Sequence, residues 1–501
     1  MLQVTRSPQV LVELVTSENL QAQPPNPEPH RPSPETGLSY HFLNSGECLQ
    51  LYCKTRFFPI QLILMAPFIS SPLSLLTFLL LLSAAASHHL KLPLLHRSPY
   101  PPTPSDALSA DNHRLAFLFS APRLPVTSAA SFGSGQYLVS LHLGTPPQPL
   151  LLIADTGSDL TWVSCSACRR HCSPNSAPFR PRRSATFSPH HCYTPACNLV
   201  PHPKHAPRCN RTRLHSTCRY QYSYADGSVT TGFFSTETTS FNASAAKLFK
   251  FQRFNFGCGF WNSGPSLSGP SFNGGDGVLG LGRGPISFTS QLGRHFGHKF
   301  SYCLMDYTLS PPPTSYLLIG AGISKLTYTP LLVNPLAPTF YYINIQSVSI
   351  DNVKLRITPS IWAIDDYGNG GTVVDSGTTI TFLPEPAYRT ILAVFERLVK
   401  LPESANPVPG FDLCLNVSSG APRASLPQLS FRLGGGAVFK PPPRNYFIDA
   451  AEDVKCLALQ PVTTDAGFAV IGNLMQQGYT FEFDKDRSRL GFTRRGCSAP
   501  P

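Results

Sequence analysis

From Tyr137 the chain alternates, Tyr137-Leu138-Val139-Ser140-Leu141-His142-Leu143, then breaks at Gly144-Thr145-Pro146-Pro147 and resumes with an apolar run from Pro149 to Ala154. Period-two alternation, a Gly/Pro break and a second run predict a strand, a hairpin turn and a strand. Helical spacing occurs in two places. Tyr388, Ile391, Leu392, Phe395, Leu398 and Val399 recur behind Pro384-Glu385-Pro386, a proline-led helix start, and a shorter helix is expected from Ser287 to His295. With 51 Pro, 36 Gly and abundant Ser and Thr, the pattern favours many short strands over long helices. The expected fold class is all-β, mainly antiparallel, with a few short helices.

Before residue 134 the texture differs. Residues 22–36 are Pro-rich and polar, with little to form a core. From Met65 the chain reads MAPFISSPLSLLTFLLLLSAAAS, an apolar stretch Leu73–Leu82 followed by small residues Ala84–Ser87. That is a signal peptide, or a signal anchor if residues 1–64 are translated with Lys54 and Arg56 ahead of it. The expected organisation is an extension that is spurious or disordered at 1–64, the signal segment at 65–87, and a processed or loosely attached pro-segment at 88–133. The globular part starts at 134. Stable membrane association is expected only if the signal segment is retained.

Fourteen cysteines bear on the compartment. Twelve fall after residue 134: Cys165, Cys168, Cys172, Cys192, Cys197, Cys209, Cys218, Cys258, Cys303, Cys414, Cys456 and Cys497. An even number behind a signal segment reads as a disulfide framework whose pairing the spacing does not give. A zinc site built on Cys165, Cys168, Cys172, His190, His191 or Cys192 has irregular spacing and no second Cys-x-x-Cys, so no metal is expected. The net charge of +12 raises nucleic acid as a partner, but Lys and Arg are spread without a long basic run, so none is expected. Sequons at Asn210, Asn242 and Asn416 mark candidate glycosylated surface loops. The expected destination is the extracellular space, with the vacuole as the alternative.

The chemistry rests on a doubled motif. Leu152-Ile153-Ala154-Asp155-Thr156-Gly157-Ser158 and Thr372-Val373-Val374-Asp375-Ser376-Gly377-Thr378 each end an apolar run in Asp, a small hydroxyl residue and Gly, 220 positions apart. Two half-sites that each bring one carboxylate to a shared centre can split a proton between them. Each motif is followed by an apolar run with glycine, Gly277-Val278-Leu279-Gly280-Leu281-Gly282 and Ala469-Val470-Ile471-Gly472-Asn473. Glycine there lets another backbone approach closely. Gly280-Leu281-Gly282-Arg283-Gly284 lacks the lysine and spacing of a phosphate loop, and neither Gly-x-Ser-x-Gly nor His-Glu-x-x-His occurs.

In that order the motifs resemble the pepsin-like aspartic peptidases, and the Cys-rich stretch 164–218 with Leu94-Leu95-His96-Arg97-Ser98 resembles their plant nepenthesin-like branch. The resemblance runs from about residue 134 to 497. It implies a bilobal fold with a central cleft, an N-terminal lobe at 134–320 and a C-terminal lobe at 321–501. It implies Asp155 and Asp375 as the catalytic pair, with Thr156, Gly157, Ser158, Ser376, Gly377 and Thr378 shaping and supporting their loops. Tyr224-Ala225-Asp226-Gly227-Ser228 resembles the flap, with Tyr224 as flap tyrosine, Asp226-Gly227 as its turn and Trp162 as the indole that holds Tyr224. Ala225 stands where glycine is common. The implied activity is cofactor-free cleavage of polypeptides at acid pH by a monomer. The rival is a catalytically silent secreted inhibitor on the same scaffold, like the xylanase inhibitors, since fold does not fix function.

Overall fold

The computed structural model describes residues 90–96, 135–166, 178–204, 209–210, 212, 216–224, 227–242, 248–264, 267, 275–306, 315–320, 323–418, 425–462, 467–494 and 497. The expected extension and signal segment, Ala225, Asp226, Cys168 and Cys172 lie outside them.

The strands that position the site are, in chain order, β1 (Leu90–His96), β2 (Tyr137–Leu143), β3 (Gln148–Asp155), β4 (Trp162–Ser164), β5 (Arg219–Ser223), β6 (Val229–Asn242), β7 (Leu248–Ser263) and β8 (Gly277–Gly280). They continue with β9 (Lys299–Cys303), β10 (Ser315–Ile319), β11 (Thr327–Pro330), β12 (Thr372–Val374), β13 (Thr381–Pro384), β14 (Ala469–Ile471), β15 (Thr480–Asp484) and β16 (Arg489–Thr493). The helices are α1 (Phe288–Phe296), α2 (Glu385–Leu398) and the single turn α3 (Asn473–Gln476). The strand–turn–strand pattern at 137–155 forms as its alternation dictates. So do both helices: Ser287 caps α1 by accepting the Ser290 N–H, and Pro384 leads α2, whose Tyr388, Ile391, Leu392 and Phe395 face the core.

The fold is the all-β, bilobal pepsin-like one. One large sheet runs in the order β11, β16, β15, β9, β10, β1, β2, β3, β8, β4, β7, β6 and the short strand Ser188–Pro189, so it crosses from the C-terminal lobe into the N-terminal one. The two lobes repeat one arrangement around their aspartates. β3 runs parallel to β8, with Asp155 opposite Gly280, and β4 lies antiparallel to β8. β12 runs parallel to β14, with Val374 opposite Ile471, and β13 lies antiparallel to β14. The glycine after each apolar run has a specific cause. A Cβ on Gly280 would lie 2.4 Å from the Asp159 carbonyl oxygen, and one on Gly472 would lie 2.2 Å from that of Ile380, so only glycine lets these chains cross.

β1 departs from expectation. Part of the segment expected to be loosely attached lies inside the large sheet, pairing with β10 over Leu90–Leu94 and with β2 over Leu94–His96. Leu92 and Leu94 are buried. Pro93 falls where only the β10 side is paired, a place that tolerates a residue without an N–H.

Candidate active site

Asp155 ends β3 and Asp375 follows β12, and both side chains are buried. The bonds from their own loops correspond one for one. Asp155 accepts the Gly157 N–H at 3.1 Å on Oδ1 and the Ser158 hydroxyl at 2.5 Å on Oδ2. Asp375 accepts the Gly377 N–H at 3.0 Å on Oδ1 and the Thr378 hydroxyl at 2.5 Å on Oδ2. These bonds fix the plane of each carboxylate.

Thr156 and Ser376 tie the loops together across the lobes. Each donates its hydroxyl to the residue before the opposite aspartate, Thr156 to the Val374 carbonyl at 3.3 Å and Ser376 to that of Ala154 at 2.9 Å. Each hydroxyl also accepts the other residue's backbone N–H, at 3.2 and 2.9 Å. Asp375 Oδ1 lies 3.4 Å from the Thr156 hydroxyl, so the second carboxylate touches the first loop directly. The hydroxyl residue in each Asp-Thr/Ser-Gly motif is a cross-lobe tie as well as a turn residue.

The residues expected at the flap behave differently at its two ends. Tyr224 follows β5, accepts from the Trp162 indole N–H at 2.5 Å, and is fully buried rather than exposed at a hairpin tip. Gly227 takes φ +79° and donates to the Tyr224 carbonyl at 3.1 Å, while Tyr224 donates to Ser228, closing the turn. Tyr222 packs against Tyr224 with ring centroids 5.4 Å apart. Its hydroxyl accepts from the Asp159 and Leu160 N–H groups at 2.8 and 3.3 Å, joining the flap strand to the first aspartate loop. Burial first, then the neighbouring Asp159 and Tyr224, pushes the Tyr222 hydroxyl well up, so it stays protonated.

Sequence reasoning missed a set of buried polar residues. Asp159 accepts the Gly284 N–H and the Thr339 hydroxyl, each at 2.7 Å, and burial raises its carboxyl against the lowering effect of those bonds and of Lys485. Gly282 and Gly284 cradle it, since a Cβ on either would lie 2.3 or 2.2 Å from a carboxylate oxygen. The glycine-rich run is therefore a carboxylate cradle. It also bonds both lobes: Leu281 donates to the Asp155 carbonyl at 2.8 Å, and Arg283 to that of Thr339 at 3.0 Å. On the other side Gln476 donates to the Asp375 carbonyl at 3.1 Å and accepts the Tyr302 hydroxyl at 2.5 Å. Asn473 donates to the Ser376 carbonyl at 3.1 Å and to that of Gly135 at 2.8 Å. Burial, then the Asp375 charge, pushes the Tyr302 hydroxyl well up. The available signal was a polar amide directly after an apolar-Gly run, at Asn473.

Among the described residues, disulfides pair Cys165 with Cys258, Cys192 with Cys209, Cys197 with Cys218, Cys303 with Cys497 and Cys414 with Cys456. Cys165 and Cys192 are thereby unavailable as zinc thiolates. Among the described residues the closest metal-like grouping is Cys197, His202 and Cys218, whose two sulfurs already form a disulfide. Of the sequon asparagines, Asn210 is exposed outside any strand, whereas Asn242 ends β6 and Asn416 ends the strand Cys414–Asn416 half-buried. The latter two are not loop positions, because strand pairing reaches them.

The repeated strand arrangement and the matched aspartate loops define a protein of the pepsin-like aspartic peptidase class. The chain belongs to that family, in its plant nepenthesin-like branch. It is 38% identical over 377 residues to aspartyl protease family protein 2 of Arabidopsis thaliana, covering 74% of this chain and 73% of that one. It is 34% identical over 391 residues to aspartic proteinase nepenthesin-1 of Nepenthes gracilis, covering 77% and 83%. Residues 137–321 match the family described as xylanase inhibitor N-terminal, and 340–494 the one described as xylanase inhibitor C-terminal. Among solved structures the fold is similar to edgp, with TM-score 0.61, 22% identity and coverage of 81% of this chain and 94% of that one. It is also similar to basic 7S globulin from soybean, with TM-score 0.58, 19% identity and coverage of 82% and 98%.

Proposed function

We propose that this chain is an aspartic endopeptidase that cleaves polypeptides at acid pH, with Asp155 and Asp375 as its catalytic pair. The observation that carries the reading is the matched hydrogen-bond set around the two carboxylates, joined by the reciprocal Thr156 and Ser376 bonds. Facing carboxylates share one proton, the general behaviour of the aspartic-peptidase dyad, because both ionise only at a cost. The ionised member takes a proton from a water between them. That water attacks the peptide carbonyl while the protonated partner donates to its oxygen. The shared proton passes between the two during turnover, so neither aspartate is a fixed acid or base. Asp159 holds the first loop against both the flap strand and Thr339, a positioning part in the same reaction. Both aspartates come from one chain, which supports action as a monomer. The disulfides and the signal-like segment support delivery into the secretory pathway, to the extracellular space or the vacuole, and Asn210 is the sequon best suited to carry a glycan.

The test is cleavage of a denatured protein at pH 3–5 by the matured chain, with and without pepstatin. Pepstatin-sensitive cleavage is expected, reduced at least about 10^3-fold in Asp155→Asn and in Asp375→Asn. The xylanase-inhibitor descriptions of the matching family models favour a second reading, a silent inhibitor. Absence of cleavage after confirmed maturation would establish that reading instead.

A further inference from the structure

The two lobes carry unequal charge. Residues 134–320 hold sixteen Lys and Arg against six Asp and Glu, whereas residues 321–501 hold sixteen against fifteen. Of the six acids, Asp155, Asp159, Glu237 and Asp276 are buried and Asp306 is half-buried, while Asp226 lies outside the described residues. Among the described residues, the N-terminal lobe therefore has no fully exposed acidic residue, and only Asp306 is partly exposed.

Among the described residues this lobe exposes eight cations, and six of them, all but Lys204 and Arg219, lie on connected elements. Arg180, Arg182 and Arg183 lie at a 3-10 turn, Pro181–Arg183, within the Cys-rich stretch, and Arg180 and Arg183 flank a surface groove of about 280 Å³ lined also by Pro146, Gln148 and Pro149. That loop is clamped to the β2–β3 turn. Gln148 and Arg180 exchange two side-chain-to-backbone hydrogen bonds at 2.9 and 3.2 Å, the Thr145 N–H donates to Ser184, and Phe179, Phe187 and Phe256 cluster beneath with centroids 5.9–6.3 Å apart. Lys250 stands on the same sheet, on the ladder that runs from Lys250 to Ser240, His142 and Pro149. Three strand spacings put it about 14 Å from the groove. Exposed Arg253 lies on β7 three residues on, and exposed Arg294 on α1 is brought alongside by His295, which packs on Phe249 and Phe251. None of these six cations has an ion-pair partner among the described residues.

We propose that this surface docks an extended acidic polysaccharide bearing carboxylates along its length. A guanidinium presents a planar fork that matches a carboxylate in two parallel bonds, and several along a rigid surface read a linear polyanion. The disulfides suit an oxidising compartment, where extended polyanions are acidic glycans. Among the described residues the one exposed ring in the patch is His295, which is held edge-on against Phe249 and Phe251 rather than offered flat to a nucleic-acid base, and the one exposed large apolar side chain is Leu248, too little to enter a membrane. The patch sits at the opposite end of β3 from Asp155, roughly 23 Å away by strand rise, so a docked glycan leaves the aspartates free.

The test is binding of the full-length protein to immobilised polygalacturonate at about pH 5.5 and about 50 mM NaCl, where screening is weak. Binding is expected, declining steeply with salt, and at least about tenfold weaker in the combined variant Arg180→Gln, Arg183→Gln, Lys250→Gln and Arg253→Asn. Asn is chosen because Arg253 has φ +56°. The C-terminal-lobe control Lys354→Gln, Arg356→Gln, both exposed, should change affinity less than about twofold. Thermal melting checks that each variant is folded, and if the combined one is not, Arg183→Gln and Arg182→Gln alone should each weaken binding about two- to threefold. Unchanged binding in the folded variants, equal binding to fully methyl-esterified polymer, or stronger binding to phosphatidylserine vesicles or duplex DNA would each overturn the proposal. No readout depends on proteolysis, so the outcome stands apart from the peptidase reading.

Discussion

Asp159 sits four residues after Asp155 and looks, in sequence, like one more polar turn residue. In the fold it is the point where the first aspartate loop, the flap strand and the C-terminal lobe meet, through Tyr222, Gly284 and Thr339. Asp159→Ala leaves a buried N–H and a buried hydroxyl without an acceptor, a loss of about 2–4 kcal/mol. Asp159→Asn keeps one acceptor and is expected to cost about half as much. The pH dependence carries a sign. Burial raises the Asp159 carboxyl, so between the ordinary value of 3.8 and its raised value the folded protein binds more protons than the unfolded one. Stability conferred by Asp159 therefore falls as pH rises through that window. Melting curves of the parent and Asp159→Asn from pH 3 to 7 should converge as pH rises, and a constant gap would refute the assignment. Asp155, Asp375 and their supporting hydroxyls were legible because each belongs to a doubled motif. Asp159, Thr339, Tyr302 and Gln476 were not, because a buried polar residue satisfied by partners distant in sequence leaves no local pattern.

At the scale of elements, patterning worked where one face of a segment is buried. The 137–155 hairpin and both longer helices lie where alternation, proline and the 3.6-residue period put them. It passed over β1, because the Pro, Ser and His content and low apolar density of the surrounding residues 88–133 dilute the short run Leu90-Lys91-Leu92-Pro93-Leu94. β15 and β16 show how a buried charge is accommodated at a strand end. Asp484 is buried with Lys299 at 3.4 Å, Arg487 at 3.3 Å and Arg489 at 3.0 Å. Burial raises its carboxyl, but Arg489, Lys299 and Arg487 outweigh this and hold it below the ordinary range. A depressed carboxyl contributes stability above its unfolded value and loses it only as pH falls through the folded value. Asp484→Asn is expected to destabilise the protein by about 1–3 kcal/mol at pH 6, discounted for the exposure of Arg487. The gap should persist at pH 4 and close below the ordinary 3.8, as read from denaturant midpoints of parent and variant. A gap that closes above pH 5 would show that the cations do not govern Asp484.

For the whole molecule, the decisive feature is that the sheet joining the lobes is completed by residues far ahead of the Asp155 strand. β1 fills the interval between β10 and β2, and its Leu92 and Leu94 side chains are buried. Without it, two strand edges about 9–10 Å apart face an empty slot, too wide to pair with each other and lined by unpaired backbone groups. A removable pro-segment and a structural strand make opposite predictions here. In the full chain, Leu92→Ala and Leu94→Ala should each cost about 2–4 kcal/mol, whereas a loosely attached segment would tolerate both. A chain starting at Ser134 should melt lower than the full chain, and a synthetic peptide spanning Leu90–His96 should raise its melting temperature in a concentration-dependent way. The peptide carrying Lys in place of Leu92 and Leu94 should have no such effect, since two ammonium groups cannot enter the core without large desolvation cost. If the truncated chain melts with the full one, the sheet closes without β1, and the strand is dispensable to the two-lobed frame that holds Asp155 against Asp375.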